Sequence, residues 1–253
     1  MPFVPLSLEQ HANAGFIPSE NYSFTASHPL VPAYLHEHTL LSKTMPLCFI
    51  KLEDKYLLMA LAGTTEAGCV FLRNDGQWTT PYVPVALRGQ PFSLRQTPDG
   101  EKLVLCIDDT ALTDGASGER IFNDAGKLSE SVKKTMDLLT QRQSVIKPTQ
   151  DAVDKLAHAG VLKEWDLTLK SAEGVSKAKG LYTVDQAALN ELTAEAYHTL
   201  QGNPMTLAHA QLFSMRNVQL LNVLIEQKFK HKTEDFDLDQ FFDSSNDTLK
   251  FDL

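Results

Sequence analysis

Between Leu47 and Asp108 the apolar residues recur at every second position, and from Lys127 onward they recur every three or four. One kind of regular element cannot satisfy both periods. Side chains alternate across a strand, whereas a helix returns to the same face after 3.6 residues. The chain is therefore expected to be α+β, with an antiparallel β-sheet of hairpins in the first half and helices with one further β-hairpin in the second. Three turn signals punctuate the β part. "LCFIKLEDKYLLMALAG" turns at Glu53-Asp54, "CVFLRNDGQWTTPYV" at Asp75-Gly76 and "FSLRQTPDGEKLVLCID" at Asp99-Gly100. Asp-Gly between apolar runs favours a hairpin because both turn positions tolerate positive φ. Residues 47–108 accordingly read as one antiparallel sheet, preceded by a short helix-like piece from Pro32 to Ser42.

In the helical half, "LSESVKKTMDLLTQRQSVIK" places Val132, Met136, Leu139 and Ile146 on one stripe. Pro148 is expected to stop that helix, since proline has no N–H to continue it. Thr149 then reads as the N-cap of a second helix that ends at Gly160. "WDLTLK" alternates Trp165, Leu167 and Leu169 on one face and is expected to pair with "GLYTVD" across a polar loop. Asp185 and Thr193 read as further N-caps, and Gly202 to Pro204 lead into one long last helix, "TLAHAQLFSMRNVQLLNVLIEQKF". Residues 1–229 are expected to form a single α+β domain, with 47–108 mainly β and 127–229 mainly α. Residues 230–253 form an acidic-aromatic tail with seven acids and three bases. Its Phe236, Leu238, Leu249, Phe251 and Leu253 suit docking in extended form, as an added strand on a sheet edge of this chain or of a partner.

Charge narrows the partners. The net charge of −9 over 253 residues disfavours a nucleic-acid backbone or an acidic membrane surface, both of which call for a basic face. No apolar run approaches the roughly 18 residues of a membrane-spanning helix. The opening "MPFVPLSLEQHANAG" has no basic and apolar leader pattern. A cytoplasmic protein without membrane insertion is expected. Cys48, Cys69 and Cys106 sit in apolar runs, which fits reduced core thiols.

The familiar phosphate-loop, dinucleotide, nucleophile-elbow and paired-cysteine patterns are absent, and no cofactor or metal is expected. "HEH", His36 to His38, falls in a helix-like context, where residues two apart point away from one another. The loop carrying Asp108, Asp109, Asp114, Glu119 and Asp124 matches no calcium-loop spacing, and Asp108 at a strand end is its residue of interest. His209, Phe213, Arg216 and Leu220 form a helical stripe that either faces a cleft and grips a carboxylate or lies at the edge of the buried face. "YVPVALRGQPF", preceded by Pro81, is a stiff segment. Either Tyr82, Arg88 and Phe92 form a binding wall, or the aromatics are core and Arg88 pairs a local acid.

Taken in order, "YVPVALRGQPF", "LCID", "IFNDAGKLSE", "GLYTVDQAALNEL" and "LAHAQLFSM" resemble the SapC family of bacterial proteins, from about Leu6 to Leu224. The resemblance implies a link to surface-layer protein export and no particular reaction. It also marks Pro91, Asp185 and Asn190, which stand inside the shared phrases. The reading that follows is a non-catalytic accessory protein that recognises a protein or peptide partner, with Tyr82, Arg88, Phe92, Asp108, His209 and Arg216 as candidate binding residues. The alternative is an enzyme acting on an anionic substrate, with Asp108 or His209 as acid or base beside Arg88.

Overall fold

The computed structural model describes residues 3–97 and 99–243, with 231–243 described by backbone alone. In chain order come strands β1 (Phe3–Pro5), β2 (Ala14–Phe16) and β3 (Leu30–Pro32), with the short helices α1 (Leu8–His11) and α2 (His38–Leu41). Strands β4 (Leu47–Leu52), β5 (Lys55–Leu61), β6 (Gly63–Thr64), β7 (Gly68–Cys69), β8 (Phe92–Gln96), β9 (Leu103–Asp108), β10 (Leu112–Asp114) and β11 (Glu119–Arg120) follow. Helix α3 (Glu130–His158) leads to β12 (Leu162–Glu164), β13 (Leu167–Ser171), β14 (Gly174–Ala178) and β15 (Leu181–Val184). Helices α4 (Gln186–Asn190), α5 (Ala194–Thr199), α6 (Asn203–Ser214) and α7 (Val218–Asp243) come next. The α+β expectation holds.

The hairpins at Glu53-Asp54 and Asp99-Gly100 form as expected, with Leu52 opposite Lys55 and Gln96 opposite Leu103. They do not share a sheet. β4 and β5 belong to a five-stranded sheet of order β12-β15-β4-β5-β3, while β8 and β9 join β1 in a separate one. The stiff segment between them carries the chain from one sheet to the other, because Pro81, Pro84 and Pro91 have no N–H for a ladder. The middle turn at Asp75-Gly76 closes only a single bridge, Leu72 to Trp78, rather than a hairpin of two strands.

Two hydrophobic cores result. The larger packs the five-stranded sheet against α6, α7 and the C-terminal half of α3, around Phe49, Leu47, Leu156, Leu207 and Leu221. The smaller gathers Phe16, Phe92, Ile107, Ile121, Val132 and Leu139. Each fully buried Leu, Ile or Phe contributes roughly 1.5–3 kcal/mol, so α3 is held at both ends by burial. That explains why Pro148 does not stop it. The helix runs unbroken from Glu130 to His158, with Pro148 inside and Thr149 buried in mid-helix rather than capping. Thr149 Oγ1 donates to the Val145 carbonyl at 2.7 Å and accepts from the Leu35 backbone N–H at 2.9 Å. A proline inside a helix costs about 3 kcal/mol, which packing of Ala152, Val153 and Leu156 offsets. The expected stripe on this helix is only half buried: Val132 and Leu139 are inside, whereas Met136 and Ile146 are exposed.

Trp165, Leu167 and Leu169 are buried on one face, as their alternation requires. Trp165 donates its N–H to the Leu181 carbonyl of "GLYTVD" at 2.8 Å, but Leu167 and Leu169 lie on β13, which pairs with β14: the stretch read as a polar loop makes the hairpin, and β15 inserts between β12 and β4. Asp185 accepts from the Ala187 and Ala188 N–H groups, and Thr193 from that of Ala196, so both caps form. The last helix is two helices, α6 and α7, separated by a 3-10 turn at Met215–Asn217. Phe236 and Leu238 lie on helical backbone within α7, not on an extended tail, while Leu249, Phe251 and Leu253 lie outside the described residues. All three cysteines are buried free thiols, and burial pushes that of Cys48 up to about 12.

Candidate functional site

The proline-stiffened segment crosses the middle of α3, between the two cores. Its 3-10 turn, Val85–Leu87, buries Val85 and Leu87, and Arg88 follows at the surface of the turn. Gly89 has φ of +95°, a backbone strained for any residue with a Cβ, and a Cβ built there would lie 2.8 Å from Leu139 Cδ2 and push that side chain aside. The Arg88 guanidinium is held on two sides. Nε and Nη2 donate to the Val83 carbonyl at 2.9 and 2.6 Å, and the group sits 4.7 Å from the Tyr82 ring centroid, in cation–π range.

From α3, Arg142 Nη1 donates to the Ala86 carbonyl at 3.3 Å. Among the described residues neither arginine makes an ion pair. Arg88 and Arg142 line one cleft of about 410 Å³, together with His36, Tyr82, Val85, Leu138, Gln141, Ser144 and Val145.

Glu37 ties the walls of this cleft together. It is fully buried, and its Oε2 accepts from the Tyr82 hydroxyl and the Val85 N–H, both at 2.9 Å. Its Oε1 accepts from the Tyr34 N–H at 3.2 Å. Burial raises the carboxyl above its ordinary range, opposed by these three donors and by the nearby His36. The Tyr82 hydroxyl is pushed up as well, first by burial and then by the negative charge of Glu37. The acid thus clamps the 3-10 turn of Leu35–Glu37 to the stiff segment, and His36 and Arg88 are positioned by that clamp.

The structure scatters the other candidates. Phe92 is core, 2% exposed and edge-to-face with Phe16 at a centroid distance of 4.8 Å. Asp108 is buried at the end of β9, where Oδ1 accepts from the Thr110 N–H and hydroxyl at 3.1 and 2.9 Å. It caps a turn. His209 and Arg216 are exposed on the outer face of α6 and the turn after it. His209 stacks with Phe213 at 6.3 Å, and Phe213, Leu220 and Val223 are 69%, 40% and 51% exposed. The stripe therefore lies on the outer surface, and neither His209 nor Arg216 lines the cleft on α3.

Its opposite face carries polar residues that sequence reasoning missed. Gln211 Oε1 accepts from Thr183 Oγ1 and the Val184 N–H, and Nε2 donates to the Leu47 carbonyl. Ser214 accepts from the Leu47 N–H at 2.8 Å, and Asn217 donates to the carbonyls of Ser42 and Met45. These bonds clip α6 onto β4 and β15. The signal was present: Leu207, Gln211, Ser214, Val218, Leu221 and Ile225 repeat at spacings of four and three. Arg142 had no comparable signal, since "QRQ" reads as any solvated helix face.

A second cleft of about 340 Å³ lies between the β3–β5 sheet edge and the β13–β14 hairpin, with Leu30, Leu61, Leu169 and Leu181 among its lining and Lys177 and Lys179 beside them. Lys177 is paired with Asp166 at 2.8 Å. Among the described residues no cluster of His, Cys, Asp or Glu could hold a metal ion, and no helix is long and apolar enough to cross a membrane. Compared with known protein families, the chain matches the SapC family model over residues 6–221. No curated protein and no solved structure matches it.

Proposed function

The chain belongs to the SapC family, and we propose that it is a non-catalytic accessory protein of a bacterial cytoplasm that recognises a polypeptide or partner protein during export or processing of a surface protein. The observation that carries this reading is the outer stripe of α6 and α7. Phe213 is 69% exposed on a helix whose other face is locked by Gln211, Ser214 and Asn217, so the aromatic ring is presented on a rigid support. Aromatic and arginine side chains are the ones that dominate binding energy at protein interfaces. His209 and Arg216 flank the apolar residues and suit an acidic partner segment.

The enzyme reading drew on Arg88, Asp108 and His209 acting together. Arg88 lines the cleft on α3, Asp108 caps a turn in the smaller core and His209 stands on the outer face of α6, so neither described cleft unites them. The test is affinity capture from native lysate with mass spectrometry, comparing the wild-type chain with a Phe213→Ser/Leu220→Ser variant. A partner retained by the first and lost by the second supports the reading. Nothing retained above background, or the same proteins retained by both, overturns it.

A further inference from the structure

The cleft on α3 carries a separate inference, independent of the partner surface on α6 and α7. We propose that it binds an organic phosphomonoester, its phosphate held by Arg88 and Arg142 and its carbon skeleton laid against Val85, Leu138 and Val145.

Charge is the first argument. Two arginines line one cleft, and the mutual repulsion of their like charges is relieved by an anion bound there. Glu37, the nearby acid, is already committed, since its oxygens accept from Tyr34, Tyr82 and Val85. The arginines are held in place by backbone carbonyls, which orient them without neutralising them. Such a pair is organised for an anion before it arrives.

Stereochemistry is the second. A planar carboxylate is satisfied by the side-on fork of one arginine, Nε with Nη2. In Arg88 that edge is spent on Val83, which leaves Nη1 and the remaining Nη2 hydrogen. In Arg142 the bond to Ala86 uses Nη1, which leaves the side-on fork free. Donors therefore come from two different walls, with His36 as a third group in the lining. A phosphate dianion brings three terminal oxygens and nearly twice the charge of a carboxylate, so it can engage donors on both walls more fully.

Size and lining are the third. A volume of about 410 Å³ lies within the roughly 300–1,000 Å³ of small-molecule pockets and exceeds the needs of a bare oxyanion. Val85, Leu138 and Val145 supply apolar wall for the remainder.

The test is titration calorimetry on the full chain with three probes: phenyl phosphate, inorganic phosphate and benzoate. Phenyl phosphate is expected to bind tightest, inorganic phosphate more weakly, and benzoate at least about tenfold more weakly than phenyl phosphate. Arg142→Gln should weaken phenyl phosphate by about tenfold or more. His36→Gln changes an exposed side chain and should weaken it about two- to fivefold. The proposal is overturned if no phosphate-bearing probe binds, if both variants bind as wild type does, or if benzoate equals phenyl phosphate. Equal affinity for inorganic and phenyl phosphate would overturn the assignment of the carbon skeleton to the apolar wall.

Discussion

Arg88 and Arg216 are both solvent-accessible arginines, and the chain treats them in opposite ways. Arg88 is tied to the Val83 carbonyl, laid against Tyr82 and backed by the buried Glu37 clamp. The side chains of Arg216 and His209 make no hydrogen bond or ion pair among the described residues. The first arrangement has already lost its conformational freedom on folding, so a small ligand loses little more on binding. The second keeps that freedom, which suits a partner large enough to repay the ordering of each side chain at about 0.5–1.5 kcal/mol. On the two proposals made above, the first surface suits a compact ligand and the second a macromolecule.

The sharpest way to break this comparison is to attack the support beneath the free surface. Gln211→Leu should lower unfolding free energy by about 3 kcal/mol, because Val184 N–H, Thr183 hydroxyl and Leu47 carbonyl lose buried partners at once. Denaturant titration reads the change, and a loss below about 1 kcal/mol would mean that α6 is held by apolar packing alone.

Glu37→Ala is expected next, at about 2–3 kcal/mol, since it leaves three donors unsatisfied. Its pH dependence has a definite sign. Burial raises the folded carboxyl above its ordinary 4.5, so the folded state binds the proton more tightly than the unfolded chain. The stability Glu37 contributes is full below its ordinary range and is lost as pH rises through the raised folded value. The stability gap between wild type and Glu37→Gln should therefore narrow as pH is raised across that window, and a gap that widens would place the buried carboxylate in its charged form at no cost.

Gly89→Ala should cost about 1–2 kcal/mol, through its left-handed backbone and the approach to Leu139. It should also weaken phenyl phosphate binding, because Arg88 is the preceding residue. Smallest of all, Phe213→Ser and Arg216→Ser should each leave stability within about 0.5 kcal/mol of wild type by thermal melting. A larger loss from Phe213→Ser would show that the ring is covered in the folded protein, and the two surfaces would no longer differ as described.

Much of the local structure was legible in the sequence. Turns at Glu53-Asp54 and Asp99-Gly100, the caps at Asp185 and Thr193, and the alternation of Trp165, Leu167 and Leu169 depend on neighbours a few residues away. Elsewhere distant residues decided. Pro148 carries a real local penalty, yet α3 continues because two cores grip its ends. "WDLTLK" has two strand-like neighbours, and the closer one wins because β15 is taken by β4 and β12. Half of the candidate site was readable: the prolines announced a rigid segment, and Tyr82 and Arg88 stand in it. Arg142 and Glu37 were not readable, since Arg142 comes from a helix some fifty residues on and Glu37 from a turn some fifty residues back.

Helices α6 and α7 draw the line between the two kinds of knowledge. By itself the sequence determined that two stripes run along them, Leu207-Gln211-Ser214-Val218-Leu221 and His209-Phe213-Arg216-Leu220-Val223, because helical spacing is a property of the backbone alone. Both mix apolar with polar groups, so pattern could not choose between them. The tertiary structure chose, because the buried face needs side chains that can satisfy the Leu47 and Val184 backbone while filling space, and Gln211 and Ser214 can do so where an arginine cannot without burying charge.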